Sequence, residues 1–280
     1  MALIKIPCPY FDLAKTLDSG QVFHWFRENE GSYNGLIGRE IISLRQEGES
    51  LLIRHGQPET ISRYFALDHP LEEIVATFPV DPWLGPATTF CHGLRIMRQE
   101  PWECLATFIT SALKQVPHIR KISLVLRQRY GTEISSELHA YPTPLALAEA
   151  GEVALRECGL GFRAKSLVRT AKMISDGDID LQQLRMLPTE ELRKELCRLP
   201  GVGEKVANCV LLFAYERLES FPIDVWIERV LRERYFAKKR NVTSQRLRDF
   251  ASSYFGPYAG YAQQYLFHHA RLTMKKRPAS

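Results

Sequence analysis

Residues 199–209 are Leu-Pro-Gly-Val-Gly-Glu-Lys-Val-Ala-Asn-Cys, and residues 221–225 are Phe-Pro-Ile-Asp-Val. The two glycines of the first stretch predict a tight hairpin between helices, with Lys205 in the first turn of the second helix. Backbone amides at such a hairpin can approach a phosphate closely. A lysine held there is a candidate amine nucleophile, and Asp224 follows at the predicted start of the next helix. This combination indicates covalent chemistry on a nucleic-acid sugar.

The bulk composition is that of an ordinary globular protein. The chain has 280 residues, of which 45% are hydrophobic and 25% are charged. Its net charge of +5 and its pI near 8.9 permit nucleic acid as a partner without requiring it. These properties leave the function to be decided by the motifs.

The six cysteines are scattered, and no two of them form a C-x-x-C pair. This spacing argues against a zinc ribbon or a closely spaced iron–sulfur cluster and fits a reducing cytosol. The opening residues 1–7 hold too short an apolar run for a signal peptide, and no apolar stretch is long enough to span a membrane. We therefore expect a cytoplasmic or nucleoid protein in a bacterium, or a nuclear protein in a eukaryote.

The hydrophobic pattern divides the chain into a β-rich part and a helical part. Short β-rich runs at 36–37, 41–44 and 51–53, with turn residues at 31–35, predict a small antiparallel sheet. Proline-initiated helices follow at 58–65 and 70–78. Later helices are predicted at 101–113, 119–130, 144–150, 153–158, 164–174, 189–199, 204–216, 224–235, 244–255 and 258–274. Residues 275–278 form a short basic tail.

Three further segments narrow the interpretation. Residues 17–25 (Leu-Asp-Ser-Gly-Gln-Val-Phe-His-Trp), 159–164 (Gly-Leu-Gly-Phe-Arg-Ala) and 256–263 (Gly-Pro-Tyr-Ala-Gly-Tyr-Ala-Gln) resemble signatures of the eukaryotic-type 8-oxoguanine DNA glycosylases. The hairpin itself resembles that of the helix-hairpin-helix (HhH-GPD) superfamily to which they belong. The resemblance implies an α+β protein: an antiparallel, TATA-binding-protein-like sheet domain over residues 1–86, then an all-helical glycosylase body over 87–280 with its hairpin at 199–205.

The resemblance also implies a bifunctional mechanism. Lys205 would attack the sugar C1′, form a Schiff base and cleave the strand by β-elimination. Its place at the positive end of a helix dipole disfavours an ammonium and favours the neutral amine that a nucleophile needs. Asp224 would be the catalytic aspartate, whose carboxylate can stabilise an oxocarbenium-like transition state. It is also a suitable N-cap, and the amides of that helix terminus favour the ionised carboxylate.

A lesion pocket is implied by four other residues. Cys209 lies four residues after Lys205 and projects from the same helix face; Gln263 and Phe267 share a face of the last helix in the same way. Without the resemblance, ordinary packing would explain both pairs. In the family, Cys209 and Phe267 would form the walls around a flipped base and Gln263 would bind its Watson–Crick edge. The carbonyl of Gly20 would accept the N7–H that distinguishes 8-oxoguanine from guanine.

The remaining candidate residues concern DNA. The resemblance implies that amides of Gly201, Val202 and Gly203 grip a phosphate, with a structural cation on the carbonyls of Cys197, Leu199 and Val202. The sequence departs from the family pattern in three places. Where the family has an asparagine-rich stretch that fills the hole left by the flipped base, this chain has Leu113, Lys114 and Gln115. His118 replaces one of the two cytosine-binding arginines, of which Arg163 is retained, and Trp226 replaces a histidine expected near a phosphate.

The sequence thus predicts a monomeric DNA glycosylase and abasic-site lyase that acts on oxidised guanine in double-stranded DNA, without a cofactor and without a membrane partner. One alternative is an enzyme of the same fold that removes alkylated bases by direct hydrolysis, although water-using relatives need no amine at Lys205. The other alternative is a non-catalytic DNA-binding protein. The joint presence of Lys205, Asp224, Gly20, Gln263 and Phe267 argues against it, because simple binding needs none of them.

Overall fold

A computed structural model describes residues 3–28, 31–111, 114–237, 239 and 241–274. Its N-terminal part contains an antiparallel five-stranded sheet with the spatial order β1-β5-β4-β3-β2. The strands are β1 (Ile4–Pro7), β2 (Phe26–Arg27), β3 (Tyr33–Ile37), β4 (Glu40–Glu47) and β5 (Ser50–His55).

The predicted strands are confirmed, but the predicted turn at 31–35 is wrong over its last three residues, which begin β3. The reason lies at Gly35. A Cβ atom there would lie 2.7 Å from the Trp25 ring, so this glycine permits a close approach of an indole to the strand. The chain turns instead at Gly38 and Gly48, which both have positive φ.

Helices make up the rest of the protein. The helices are α1 (Leu13–Asp18), α2 (Pro58–Tyr64), α3 (Leu71–Ala76), α4 (Leu84–Phe90), α5 (Pro101–Ser111), α6 (Val116–Tyr130), α7 (Pro144–Leu155), α8 (Arg163–Ser175), α9 (Thr189–Cys197), α10 (Glu204–Phe213), α11 (Val225–Val230), α12 (Ser244–Tyr254) and α13 (Ala259–Thr273). Shorter turns occupy Arg156–Leu160, Gln183–Met186 and Leu231–Tyr235. The α+β architecture predicted from the sequence, a sheet domain followed by a helical body, is confirmed.

The element α7 is interrupted at Gly151, where φ is +77° and ψ is 172°. Glycine tolerates this conformation without strain, and the conformation is not helical. The separation of the two helices predicted at 144–150 and 153–158 is therefore confirmed at Gly151, although the second segment ends at Leu155 and a shorter turn follows at Arg156–Leu160. Several other helices end two or three residues before the predicted position, as α10 does at Phe213.

Two hydrophobic cores hold the protein together. The sheet core contains Trp25, Ile42, Leu44, Leu51, Ile53, Phe65 and Met97. The helical core is centred on α10, whose residues 206–213 are all buried and which packs against α5 and α9. Leu71 of α3 and Leu84 of α4 also belong to the helical core; the domain boundary after residue 86 stays a prediction. Among the described residues, no helix combines the length and apolar character needed to cross a bilayer.

Candidate active site

The hairpin between α9 and α10 has a buried anchor and an open tip. Val202 is buried, and its amide donates to the Leu199 carbonyl at 3.1 Å. Gly201 has φ +83°, and a Cβ atom there would lie 2.7 Å from Cβ of Ser166 on α8, so only glycine fits. Gly203 is the N-cap of α10 and supplies no side chain to its first-turn amides. Those amides are therefore available to an anion.

Lys205 is held by α5. Its Nζ donates to Ser111 Oγ at 3.2 Å and lies 5.1 Å from the centroid of the Phe108 ring. The side chain is half-buried. The amine is thus oriented by two neighbours from a single helix instead of moving freely in solvent.

Asp224 caps α11, as the sequence predicts. Its Oδ1 accepts from the amides of Trp226 at 3.1 Å and Ile227 at 2.9 Å. These amides were expected to favour the ionised form, but burial outweighs them and raises the pKa of the Asp224 carboxyl above its ordinary value. The charge of Lys205 acts in the same direction as the amides, which shows that lysine and aspartate lie within each other's field.

Cys209 lies on the face of α10 that carries Lys205. Burial raises the pKa of its thiol to about 11, against the opposing effect of Lys205. The thiol is therefore neutral near pH 7, and it presents a small apolar surface instead of a reactive thiolate.

Gly20 and α13 meet on the other side of this region. Gly20 has φ +87°, and a Cβ atom there would lie 3.3 Å from the Phe267 ring and 3.5 Å from the Val116 side chain. No hydrogen-bond donor among the described residues reaches the Gly20 carbonyl. Gln263 is 4% exposed, and its Oε1 has no partner in that same part of the chain. Gln263 Oε1 is a buried acceptor without a partner and Gly20 is half-buried, so both acceptors point to a ligand that supplies the donors.

Asp224 and the pocket candidates Gln263 and Phe267 lie on neighbouring helices. Asp224 caps α11, and α11 packs against α13, which carries Gln263 and Phe267. Lys205 and Cys209 project from α10 in the helical core. Lys205, Cys209 and Asp224 therefore form one group at α10 and the start of α11, and Gly20 lies beside Phe267 of α13, which packs against α11.

The residues expected to contact the opposite strand differ in exposure. Arg163 is buried, donates to the Leu160 carbonyl at 3.4 Å and stacks on the exposed ring of Phe162 at 4.3 Å. His118 and Gln115 are exposed and Lys114 is half-buried at the start of α6. Leu113 lies outside the described residues.

The cation expected on the carbonyls of Cys197, Leu199 and Val202 stays a prediction. The Leu199 carbonyl already accepts the amide of Val202. Within the described ranges, no group of three or more His, Cys, Asp or Glu side chains could hold a metal ion.

Comparison with known proteins gives the family. A model of the 8-oxoguanine DNA glycosylase N-terminal domain matches residues 3–105, and the model of the HhH-GPD superfamily of base excision DNA repair proteins matches residues 107–254. A probable N-glycosylase/DNA lyase of Methanothermobacter thermautotrophicus is 30% identical over 304 aligned positions that cover 96% of each chain. The chain belongs to the 8-oxoguanine DNA glycosylases of the HhH-GPD superfamily.

Solved structures of this glycosylase family agree over nearly the whole chain. The protein MBOgg1, bound to a low-affinity DNA ligand, has a TM-score of 0.92 at 33% identity, covering 98% of this chain and 97% of its own. The Clostridium acetobutylicum 8-oxoguanine glycosylase/lyase, bound to double-stranded DNA with cytosine opposite 8-oxoguanine, has a TM-score of 0.89 at 33% identity, covering 96% and 95%.

Within this glycosylase fold, sequence reasoning missed the residues that hold the candidates in place. Ser111 and Phe108 orient Lys205 from a distance of more than ninety residues along the chain, and no local pattern signals such a contact. Phe162 could have been found, because it lies inside the quoted segment 159–164 and an exposed aromatic beside an arginine suits base stacking.

Proposed function

We propose that this protein excises 8-oxoguanine from double-stranded DNA and then cleaves the strand at the resulting abasic site. The observation that carries the proposal is the placement of the Lys205 amine, oriented by α5, within electrostatic reach of the capping carboxylate of Asp224. The family supports the reaction class, since its members include N-glycosylase/DNA lyases.

Lys205 and Asp224 divide the chemistry. The neutral amine of Lys205 attacks C1′ as the glycosidic bond to the base breaks, and the base departs with the bonding electrons. Asp224 stabilises the positive charge that develops on the sugar. The lone pair on Nζ then opens the sugar ring by breaking the C1′–O4′ bond, O4′ takes up a proton, and C1′ and Nζ form the Schiff base. The Schiff base makes the C2′ proton acidic, and loss of that proton expels the 3′ phosphate by β-elimination.

Recognition of the base is assigned to the two acceptors that have no donor among the described residues, the Gly20 carbonyl and Gln263 Oε1. The Gly20 carbonyl accepts N7–H of 8-oxoguanine, whereas guanine would place a lone pair against it at a cost of about 1–3 kcal/mol. Gln263 binds the Watson–Crick edge, and Cys209 and Phe267 enclose the ring.

DNA binding is assigned to the hairpin and to the start of α6. The amides of Gly201 and Gly203, which have no acceptor among the described residues, bind a backbone phosphate, whereas the amide of Val202, also expected to do so, donates to the Leu199 carbonyl. Either Lys114 or Leu113, of which Leu113 lies outside the described residues, fills the hole left by the flipped base; Gln115 contacts the DNA beside it, and Arg163 and His118 contact the opposite base. We propose that the protein acts as a monomer, without a cofactor or a membrane partner, in the compartment that holds the DNA: nucleoid or nucleus.

The lesion spectrum and the strand break test this function together. Duplexes that carry 8-oxoguanine, an alkylated adenine or undamaged guanine are incubated with the protein, and free base and broken strands are measured separately. We expect 8-oxoguanine release with strand breaks that form without added alkali. Release of the alkylated base with breaks only after alkali would support the hydrolytic alternative, and binding without any release would support the non-catalytic one.

A further inference from the structure

The segment around Gly20 is held from both sides by buried glutamines. Ser19, which precedes it, is fully buried, and its carbonyl accepts Nε2 of Gln264 from α13 at 3.1 Å. Gln21, which follows it, is also fully buried and donates from its own Nε2 to the Arg95 carbonyl at 2.8 Å.

The bond from Gln264 satisfies the end of a helix. α1 ends at Asp18 with Ser19 as its C-cap, so the carbonyls of both residues have no partner within that helix. Gln264 donates to the second of them, and Arg271 of α13 donates to the first at 2.5 Å. Two consecutive carbonyls are thus occupied by α13, and the third, on Gly20, has no donor among the described residues.

α13 therefore controls both parts of the proposed pocket. Gln263 and Phe267 face the base from this helix, while Gln264 points to a different side and fixes the loop that carries the Gly20 carbonyl. One rigid element sets the distance between the acceptor for N7–H and the groups that bind the opposite edge of the same base.

We propose that Gln264 is a positioning residue for lesion discrimination, acting through Ser19 on the Gly20 carbonyl. This inference rests on the proposed excision of 8-oxoguanine. Removal of the Gln264 amide leaves the Ser19 carbonyl buried without a donor, and the loop relaxes toward other partners. The Gly20 carbonyl then moves away from N7–H, while Lys205 and Asp224 keep their places.

The test compares excision of 8-oxoguanine, which requires recognition of the base, with cleavage of a preformed abasic site, which does not. Gln264→Met keeps the side-chain length and removes the donor; Arg271→Met, at a partly exposed position, removes the neighbouring bond and keeps the test available if the first variant folds poorly. Tyr215→Phe is the matched control, because Tyr215 also donates from its side chain to a buried backbone carbonyl, that of Leu181 at 2.8 Å, within the helical core. Each variant is assayed for single-turnover excision of 8-oxoguanine, for cleavage of a preformed abasic site and for thermal unfolding.

We expect Gln264→Met to slow excision of 8-oxoguanine about tenfold, the effect of losing one hydrogen bond, with abasic-site cleavage unchanged within about twofold. Arg271→Met should show a smaller change of the same kind, and Tyr215→Phe should lower only the unfolding temperature. An equal loss of both activities in Gln264→Met, or no loss of either, would overturn the positioning role. Failure of the unsubstituted protein to excise 8-oxoguanine would instead overturn the proposed function itself.

Discussion

Asp224 combines a structural and a chemical task in one carboxylate. Its Oδ1 accepts two amides at the start of α11, and the same group lies in the field of Lys205. Burial raises its pKa above the ordinary aspartate value, so protonation begins at a higher pH than for an exposed aspartate. The carboxylate that stabilises the sugar cation is the form that acid removes.

The pH dependence of excision follows from this pKa. The single-turnover rate should fall as pH is lowered through the raised pKa of Asp224, because the ionised form is the active one. Asp224→Asn should lower the rate by about 10²–10³ and remove this acidic limb. Rates measured from about pH 4.5 to 8 test the prediction. Asp249→Asn, at an exposed position on α12, is the control and should keep the parent profile. An Asp224→Asn protein with the parent rate would leave Asp224 only its capping role.

For single residues, the sequence identified the reactive side chains of Lys205 and Asp224 but not the residues that hold them in place. The glycine hairpin and the spacing to Asp224 singled out both candidates and predicted the cap. The contact from Ser111 to Lys205 joins residues that are distant in sequence, and only the packing of α5 against α10 creates it. Burial of the carboxylate has the same origin, so the direction of its pKa shift was not predictable from the capping motif.

Among the elements, the junction of the sheet with α5 and α6 contains a buried histidine. Nδ1 of His24 lies 3.2 Å from Glu103 Oε1, and its Nε2 lies 2.9 Å from the Leu36 carbonyl. Arg127 forms an ion pair with the same glutamate. Burial lowers the pKa of His24 to about 4, and the positive charge of Arg127 contributes to that shift.

This histidine makes the fold sensitive to acid. Since its folded pKa is near 4 and its ordinary value is 6.5, the unfolded chain binds the proton first as pH falls between these values. The free energy of unfolding should therefore decrease from pH 6.5 toward 4, by on the order of 3 kcal/mol for this group. Burial also lowers the pKa of His268 to about 4, so His24→Gln should remove only part of the decrease.

Urea unfolding at several pH values measures this effect. His55→Gln, at an exposed position of β5, serves as the control and should keep the parent pH dependence. If His24→Gln and the parent lose stability equally between pH 6.5 and 4, His24 does not carry the proton linkage.

The elements themselves were predictable where the pattern was regular. The β-rich runs that form β4 and β5 and the proline-started helices α2 and α7 follow from local chemistry. The break predicted between residues 150 and 153 is present at Gly151. The error occurred at Gly35, which lies inside β3 and permits contact with Trp25, because the local sequence does not reveal that tertiary packing.

At the scale of the whole molecule, recognition of a duplex requires contacts with both strands. Arg163 is buried beside Phe162, whereas His118 is exposed on α6. An arginine offers five donors in a fixed fork, and a neutral histidine offers one. The face that we propose to contact the opposite base therefore offers fewer donors than the family pattern.

We expect the protein to prefer cytosine opposite 8-oxoguanine but to accept the other three bases more readily than the family norm. The loss of one good base contact corresponds to about 1–3 kcal/mol of discrimination. Excision rates opposite each of the four bases measure it, and His118→Arg should increase the preference for cytosine. Strict dependence on cytosine that persists in His118→Ala would show that another residue supplies the contact.

The assembly of the whole molecule was predictable only through the resemblance. Local patterns separate a sheet domain from a helical body, but they do not bring α13 to the Gly20 loop. That contact joins Gln264 to Ser19 across 245 residues, and similar long-range bonds link Tyr265 to the Leu94 carbonyl. Such pairs are determined by tertiary packing between segments that are distant in the chain, which local patterns do not reveal.

The central claim is that Lys205 forms a covalent bond to the sugar. Borohydride reduces a Schiff base to a stable amine, so it should trap the protein on a duplex that contains 8-oxoguanine. Lys205→Gln should give no trapped complex while it retains affinity for the duplex, because glutamine has no nucleophilic amine and the hairpin is unchanged. Trapping of Lys205→Gln at the yield of the unsubstituted protein would contradict the claim and would assign the covalent step to another amine.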